Sequence, residues 1–270
     1  MSSMVLPGVG RDAAYVVKKI AARARRRKSL LRPEAHISRL EGVMSVQMSA
    51  PRSSRSTSKA LAITVAAGPV LLLGALLWHP PLPGRLPDND AVAEAVAADV
   101  TRWGLSHLAA AFAAAAVSVA FIVIRSYLRE RGDGWFSAVG LALVVVGNTL
   151  YAVLPGMEFS ALAAHETGTD IAAAQDALQP WFISVLVGGS AVFAAGTTLF
   201  AVAIVRSAPM GRTEAVVIAA ALVVFGVSRV IPIGVVQFYV QPAAALLALL
   251  PLAAAISAGG RQRTSVVAGP

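Results

Sequence analysis

Hydrophobic residues in this chain are gathered into six long runs, which are separated by shorter polar stretches. Most runs approach the roughly 20 residues that an α-helix needs to cross a bilayer core. In chain order the runs are 60–78, 105–127, 136–154, 181–205, 215–230 and 235–256. This pattern predicts an all-α fold, a polytopic membrane helix bundle of about six transmembrane helices. The fifth run is the shortest and contains Arg229, so a tilted or re-entrant fifth segment is the alternative.

Composition supports lipid as the solvent for most of the chain. Hydrophobic residues make up 57% and charged residues 14%, and the mean hydropathy is +0.70. A soluble domain carries about 25% charged residues. A water-soluble fold of this length has no means of covering so much apolar surface.

The basic residues divide the chain into three regions. Thirteen of the 23 Lys and Arg residues precede Ala60, and residues 1–59 are predicted to be a largely disordered cytoplasmic leader. Within it, residues 11–28 predict a basic helix on an anionic inner leaflet, so membrane lipid rather than nucleic acid is the expected partner. A start at Met44 or Met48 is the alternative. Residues 60–258 form the predicted transmembrane domain and residues 259–270 a short cytoplasmic tail.

Orientation follows from where Lys and Arg fall in the connections, because these residues concentrate on the cytoplasmic side. With the N-terminus inside, 20 of the 23 Lys and Arg residues lie on the inner side. The chain is therefore predicted to be a multi-pass protein of the cell membrane with both termini cytoplasmic. The four tryptophans each stand at the end of a predicted span, as expected for the membrane boundary.

Two predicted outer connections, 79–104 and 155–180, are much longer than the others. Each contains an Ala-rich stretch, over 91–103 and 160–178 respectively. These stretches predict short helices on the outer surface, which together form a cap over the outer ends of the bundle.

Several kinds of chemistry are excluded by residue content. Cysteine is absent, and neither a P-loop, a dinucleotide fingerprint nor a His-Glu-x-x-His zinc helix occurs. The four lysines all precede the first predicted span, which excludes an intramembrane Schiff base, and the predicted spans contain no Asp or Glu, which disfavours carboxylate-coupled transport. No cofactor and no metal is expected.

Polar residues in the outer half of the predicted bundle are the candidate ligand-binding set: His107, Asn148, Tyr151, Arg229, Gln237 and Gln241. Asn148 and Tyr151 share a helix face, as do Gln237 and Gln241. The alternative is a set of interhelical hydrogen bonds, each worth about 0.6 kcal/mol in lipid. Arg229 is expected to snorkel to the interface or to pair with an acid, for which the candidates are Glu158, Glu166, Asp170 and Asp176, and so to fix helix depth. Binding of an anion or a lipid headgroup is the alternative.

Histidine and serine residues offer two weaker alternatives. His79 and His107 lie at neighbouring span ends, where a bis-histidine haem or a metal site would need further partners. His165 with Glu166 resembles half of a hydrolase site, with Ser184 or Ser190 as nucleophile. The small residues Ser184, Gly188, Gly189, Ser190 and Gly196 favour close helix packing instead.

The Ala/Val/Arg-rich composition, His79-Pro80 after the first span and Trp103 to His107 at the second resemble uncharacterised multi-pass membrane proteins of high-GC, actinobacterial type. The resemblance covers the six-span region and implies no assigned activity. A non-catalytic accessory role with a membrane protein partner is the leading prediction. The alternatives are a binder or transporter of a small or lipid-like anionic molecule, and an intramembrane enzyme or cofactor protein that uses outer histidines.

Overall fold

The computed structural model describes residues 53–82 and 84–267, which are helical almost throughout. The helices are α1 Ser53–Trp78, α2 Asn89–Ala98, α3 Val100–Arg129, α4 Phe136–Met157, α5 Phe159–Thr167, α6 Ile171–Ser207, α7 Arg212–Ser228 and α8 Gln241–Val267, with a π-helical segment Val236–Val240 before α8. Within the described ranges, an isolated bridge between Arg85 and Ile233 is the one extended pairing. The predicted all-α class is confirmed.

Five helical stretches are long and apolar enough to cross a membrane, namely Ser56–Trp78, Val100–Arg129, Phe136–Thr167, Ile171–Ser207 and Val236–Gly259. The sixth apolar run forms α7, which has 17 residues. At 1.5 Å per residue α7 is about 26 Å long, slightly short of a bilayer core of about 30 Å. The count of six spans therefore stays a prediction.

The six long helices form a closed ring in which each packs against two neighbours. The order around the ring is α1, α3, α4, α6, α7 and α8, and α8 returns to α1. Phenylalanines fill the centre: Phe121 stacks edge-on against Phe200 at 4.8 Å between ring centroids, and Phe193 against Phe225 at 5.2 Å. This aromatic interior places side chains from α3, α6 and α7 in one apolar core.

The closest crossing in the ring joins α4 to α6. A Cβ atom added at Gly196 would lie 2.7 Å from the backbone nitrogen of Val144, and one added at Gly147 would overlap the backbone of Phe193. Gly189 is buried at the same crossing, whereas Ser184 and Gly188 are exposed. The small-residue face predicted on α6 is therefore narrower than expected and centres on Gly189 and Gly196.

The two long connections contain the predicted short helices, with breaks that the Ala-rich runs did not suggest. The stretch 91–103 is interrupted at Asp99, whose carboxylate accepts the N–H of Arg102 at 2.8 Å and starts α3. The stretch 160–178 is interrupted at Gly168, which has a φ of 68°, and Asp170 then starts α6. Helix α6 continues through Pro180 into the apolar run. The position of α2 and α5 at a membrane surface stays a prediction.

A small second core joins these short helices to the bundle. Its buried members are Leu82, Val92, Val96, Trp103 and Ala161. We call α2, α5 and the first turns of α3 and α6 the cap, and the adjacent end of the ring the cap end. Trp103 is fully buried here, whereas the other three tryptophans are 46–70% exposed.

The first and last helices extend beyond the predicted transmembrane region of residues 60–258. Helix α1 begins at Ser53, inside the predicted leader, and α8 ends at Val267, inside the predicted tail. Helical hydrogen bonding thus continues beyond the apolar runs into flanking polar sequence. The predictions for residues 1–52, including the basic helix over 11–28 and the alternative starts, lie outside the described residues.

Candidate functional site

The candidate site lies at the cap end, where the chain leaves α7 and turns back into α8. Residues 232–234 pair with the connection after α1: the N–H of Leu86 donates to Pro232 O at 3.1 Å, and that of Gly234 donates to Gly84 O at 2.9 Å. A side chain at Gly234 would overlap the carbonyl of Leu82. This close backbone contact fixes the position of the turn that follows Arg229 at the end of α7.

Arg229 is fully buried at 0% exposure. Its Nη1 donates to Oδ1 of Asn148 at 2.8 Å, and its Cζ lies 3.7 Å from the ring centroid of Phe193 and 4.3 Å from that of Tyr151. Its Nε and Nη2 have no hydrogen-bond partner. In a planar guanidinium these two N–H groups lie along one edge, so they form a fork that fits two oxygens of a carboxylate or phosphate.

The acidic partner predicted for Arg229 is absent from the described part of the chain. Glu158 accepts a hydrogen bond from Nε2 of Gln175 at 2.9 Å, Asp170 caps α6, Asp176 accepts from Asn89, and Glu166 is exposed. The expectation was wrong because each of the first three carboxylates has a nearer partner in or beside the cap. Aromatic rings and one amide surround the guanidinium instead.

Asn148 orients the guanidinium from inside the ring. Its Nδ2 donates to Oγ of Ser118 at 2.9 Å and to the carbonyl of Ala114, both on α3. These bonds turn Oδ1 towards Arg229, so one amide links α3, α4 and the end of α7. Asn148 therefore acts as a positioning residue beside the cavity rather than in its lining.

The two predicted glutamines differ in their surroundings. Gln237 Nε2 donates to the carbonyl oxygens of Ile231 at 3.0 Å and Arg229 at 3.4 Å, which closes the turn after α7. Gln241 is fully buried, and neither its Nε2 nor its Oε1 has a partner. Gln241 does not line the cavities at this end of the ring.

Two adjoining cavities lie at this end of the ring. The first has a volume of about 120 Å³ and is lined by His107, Tyr151, Arg229 and Gln237, four of the six predicted residues, together with many apolar side chains. The second has a volume of about 710 Å³ and shares Arg229, Asp88, Asn89 and Gln179 with the first. The cavity brings the four predicted residues together, and their role in binding stays a prediction.

Several lining residues were missing from the predicted set. His79, Glu158, Gln175 and Gln179 also line the first cavity. Gln175 and Gln179 are four apart in an otherwise Ala-rich stretch, so helical spacing was a signal that could have identified them. Glu158 carried no such signal, since its place depends on how the cap folds over α4.

His79 and His107 form a close pair in the wall of the first cavity. Their Nε2 atoms lie 3.3 Å apart, while Nδ1 of His79 contacts Pro80 O and Nδ1 of His107 contacts Trp103 O, each at 2.7 Å. The ring of Phe238 stacks on His79 at 4.7 Å between centroids. Burial lowers the pKa of His79 to about 4, and the positive charge of Arg102 acts in the same direction.

The hydrolase alternative lacks the contacts it requires. His165 and Glu166 are exposed on α5, and Oγ of Ser184 donates to Pro180 O at 2.8 Å. Ser190 is fully buried on α6 and has no hydrogen-bond partner. No hydrogen bond in the described residues joins His165 to either serine. Nucleophile and base are therefore not assembled here.

Comparison with known proteins gives no further assignment for this site. No family model, no curated protein and no solved structure matches the chain.

Proposed function

We propose that this chain binds a small or lipid-like anionic molecule at the cap end, with Arg229 as the anion-binding group. The observation that carries the proposal is a fully buried guanidinium whose Nε–H and Nη2–H lack partners, in a residue that lines both cavities. An unpaired buried charge costs several kcal/mol of folding free energy. An arginine whose task was to fix helix depth would be expected to reach water or an acid.

The lining indicates what else the molecule contains. Apolar side chains from α1, the cap, α6 and the segment before α8 surround the polar groups, including Leu72, Leu76, Val92, Phe182, Leu186 and Phe238. A molecule whose carboxylate or phosphate binds Nε and Nη2 of Arg229, and whose apolar remainder packs against these side chains, would match both the guanidinium and the apolar lining. The two cavities together are comparable with typical ligand sites of about 300–1,000 Å³.

The proposed setting is a bacterial cell membrane, with six spans and both termini cytoplasmic. The distribution of Lys and Arg supports this orientation, since Arg125, Arg129, Arg206 and Arg212 lie towards the end opposite the cap. The cap end carries Asp88, Asp90, Glu94, Asp170 and Asp176 and would face outward. The basic leader would then contact anionic inner-leaflet lipid, at about 1 kcal/mol per well-placed charge.

Anion binding is compatible with the non-catalytic role that the sequence predicts, because binding requires no reacting group. An accessory protein that presents a lipid-like ligand to a membrane protein partner combines both expectations. The partner itself stays a prediction, and its presence is one outcome of the experiment below.

Native mass spectrometry of full-length protein, released from nanodiscs loaded with palmitate and phosphatidylglycerol, tests the proposal. We expect wild type and Arg212→Met, a matched arginine at the opposite end, to retain one of these anions, and Arg229→Met to lose it. Arg229→Met should remain folded, because an apolar side chain removes an unpaired buried charge.

Two results would contradict anion binding at Arg229. One is equal retention of either probe by Arg229→Met and wild type. The other is folded wild type that carries neither probe; a second polypeptide bound to that bare protein would favour the accessory role alone.

A further inference from the structure

The histidine pair carries an inference that is independent of the anion site. Each Nδ1 lies 2.7 Å from a backbone carbonyl oxygen, that of Pro80 for His79 and that of Trp103 for His107. A carbonyl oxygen only accepts hydrogen bonds, so each Nδ1 must carry its proton. In a neutral imidazole the other nitrogen then has a lone pair, and here both lone pairs belong to Nε2 atoms that face each other at 3.3 Å.

Two lone pairs at this distance repel unless a cation lies between them or beside them. A single shared proton would satisfy the pair, but it requires one imidazolium in a buried, aromatic-lined site. Arg102 donates to the carbonyl oxygen of His79 at 3.4 Å and brings another positive charge close by.

We propose that His79 and His107 bind a transition-metal ion of the imidazole-preferring kind, copper or zinc, through their Nε2 atoms. At metal–nitrogen distances of about 2.0–2.1 Å and a tetrahedral angle, two ligand nitrogens lie about 3.3–3.4 Å apart. The observed Nε2–Nε2 distance of 3.3 Å matches this separation. The two Nδ1–H groups bonded to carbonyl oxygens are the outer contacts that commonly fix the tautomer of metal-binding histidines.

The surroundings hold both rings in this orientation. Trp103 lies 4.4 Å from the ring of His107 between centroids and 5.3 Å from that of His79, and Phe238 covers the other side of His79. The rings come from α3 and from the residue directly after α1, which pack together in the ring of helices. A site built on packed helix ends loses little side-chain entropy when the ion binds.

The described residues offer no group of three or more His, Cys, Asp and Glu side chains for a metal. The remaining coordination positions would therefore face the cavity, for water or an exogenous ligand. The proposal differs from the sequence-based expectation of no metal, which rested on the need for further protein ligands. An open site of two histidines is a binding centre for copper or zinc rather than a closed structural zinc site.

The test uses full-length protein in detergent, purified with a tag that contains no histidine and stripped with a chelator. Zn²⁺, or Cu⁺ under anaerobic conditions, is added, and the metal retained after desalting is measured by inductively coupled plasma mass spectrometry. We expect one ion per chain in wild type and in the controls His165→Gln and His36→Gln. His36 and His165 are the two other histidines of the sequence. His79→Gln and His107→Gln should each lose at least about tenfold in affinity.

X-ray absorption of metal-loaded wild type covers the case in which a histidine variant fails to fold. We expect two imidazole nitrogens at about 2.0–2.1 Å. Arg229→Met should bind the metal as wild type does, so failure of the anion proposal and failure of the metal proposal are distinguishable. Folded wild type that retains no ion, equal retention by His79→Gln and His107→Gln, or a spectrum without imidazole would overturn the metal site.

Discussion

Arg229 donates from Nη1 to Oδ1 of Asn148 at 2.8 Å, and this is the one hydrogen bond its guanidinium makes within the described residues. Asn148 is oriented by its own bonds to Ser118 and Ala114, and it bonds to Nη1 while Nε and Nη2 have no hydrogen-bond partner. The amide thus holds a positive charge in place without neutralising it. A carboxylate at position 148 would hold the group equally well but remove its capacity for an anion.

Asn148→Asp should therefore weaken anion binding while it retains the contact with Arg229. The new carboxylate forms a buried ion pair with the guanidinium, so we expect the affinity for palmitate to fall at least tenfold, or about 1.4 kcal/mol. Isothermal titration in detergent measures this change. Asn148→Leu is the comparison: it removes the amide contact without adding a charge, so we expect a smaller loss of affinity than in Asn148→Asp, together with lower thermal stability. Wild-type affinity in Asn148→Asp would contradict the role assigned to Arg229.

Most of the fold was predictable from the sequence, because the length of each apolar run predicts which segments become long helices. The breaks at Asp99 and Gly168 also have local signals, an N-cap residue and a left-handed glycine. The contact between Asn148 and Arg229 has no such signal. It joins residues 81 positions apart, and it depends on the order of helices around the ring.

The wrong acidic partner of Arg229 and the burial of Trp103 have a shared cause. From sequence, a charge suggests an opposite charge and a tryptophan suggests a membrane boundary. The cap changes both outcomes. It covers Trp103, and residues in or beside the cap donate hydrogen bonds to the nearby carboxylates. Phe193 and Tyr151 contact Arg229 from different helices, and no local pattern indicates that these rings meet at one point.

Metal-free protein should lose stability between about pH 6.5 and pH 4. The folded-state pKa of His79 is about 4, below its ordinary value of 6.5, because burial disfavours the charged ring. The stability that follows from a neutral His79 is complete above the unfolded value and is lost as the pH falls towards the folded value. At 1.36 kcal/mol per pKa unit the loss is on the order of 3 kcal/mol. Thermal melts in detergent with a chelator measure it.

His79→Gln should make this pH dependence shallower, because glutamine does not titrate, while the neighbouring imidazole of His107 remains. His165→Gln is the matched control: His165 is exposed on α5, so its replacement should leave the wild-type profile unchanged. An equally steep loss of stability in His79→Gln would assign the acid sensitivity to other groups.

Gly147→Ala should destabilise the crossing of α4 and α6. The added Cβ would overlap the backbone of Phe193 and approach the carbonyl oxygen of Gly189 at 2.7 Å, so the two helices must separate. Overpacking of this kind typically costs about 1–3 kcal/mol, and we expect a lower midpoint of thermal unfolding. Gly188→Ala is the control, because a Cβ there meets nothing within 4 Å. Equal unfolding midpoints for the two variants would contradict the close crossing.

The absence of cysteine makes the proposed orientation directly testable, since any introduced thiol is the only one in the chain. Asp90→Cys lies on α2 in the cap and Arg212→Cys at the start of α7, and both positions are exposed. If the cap end faces outward, a membrane-impermeant maleimide should label Asp90→Cys in intact cells, and Arg212→Cys only after permeabilisation. The reverse pattern would invert the orientation. Labelling of both positions in intact cells would contradict the three membrane crossings, by α3, α4 and α6, that separate Asp90 from Arg212.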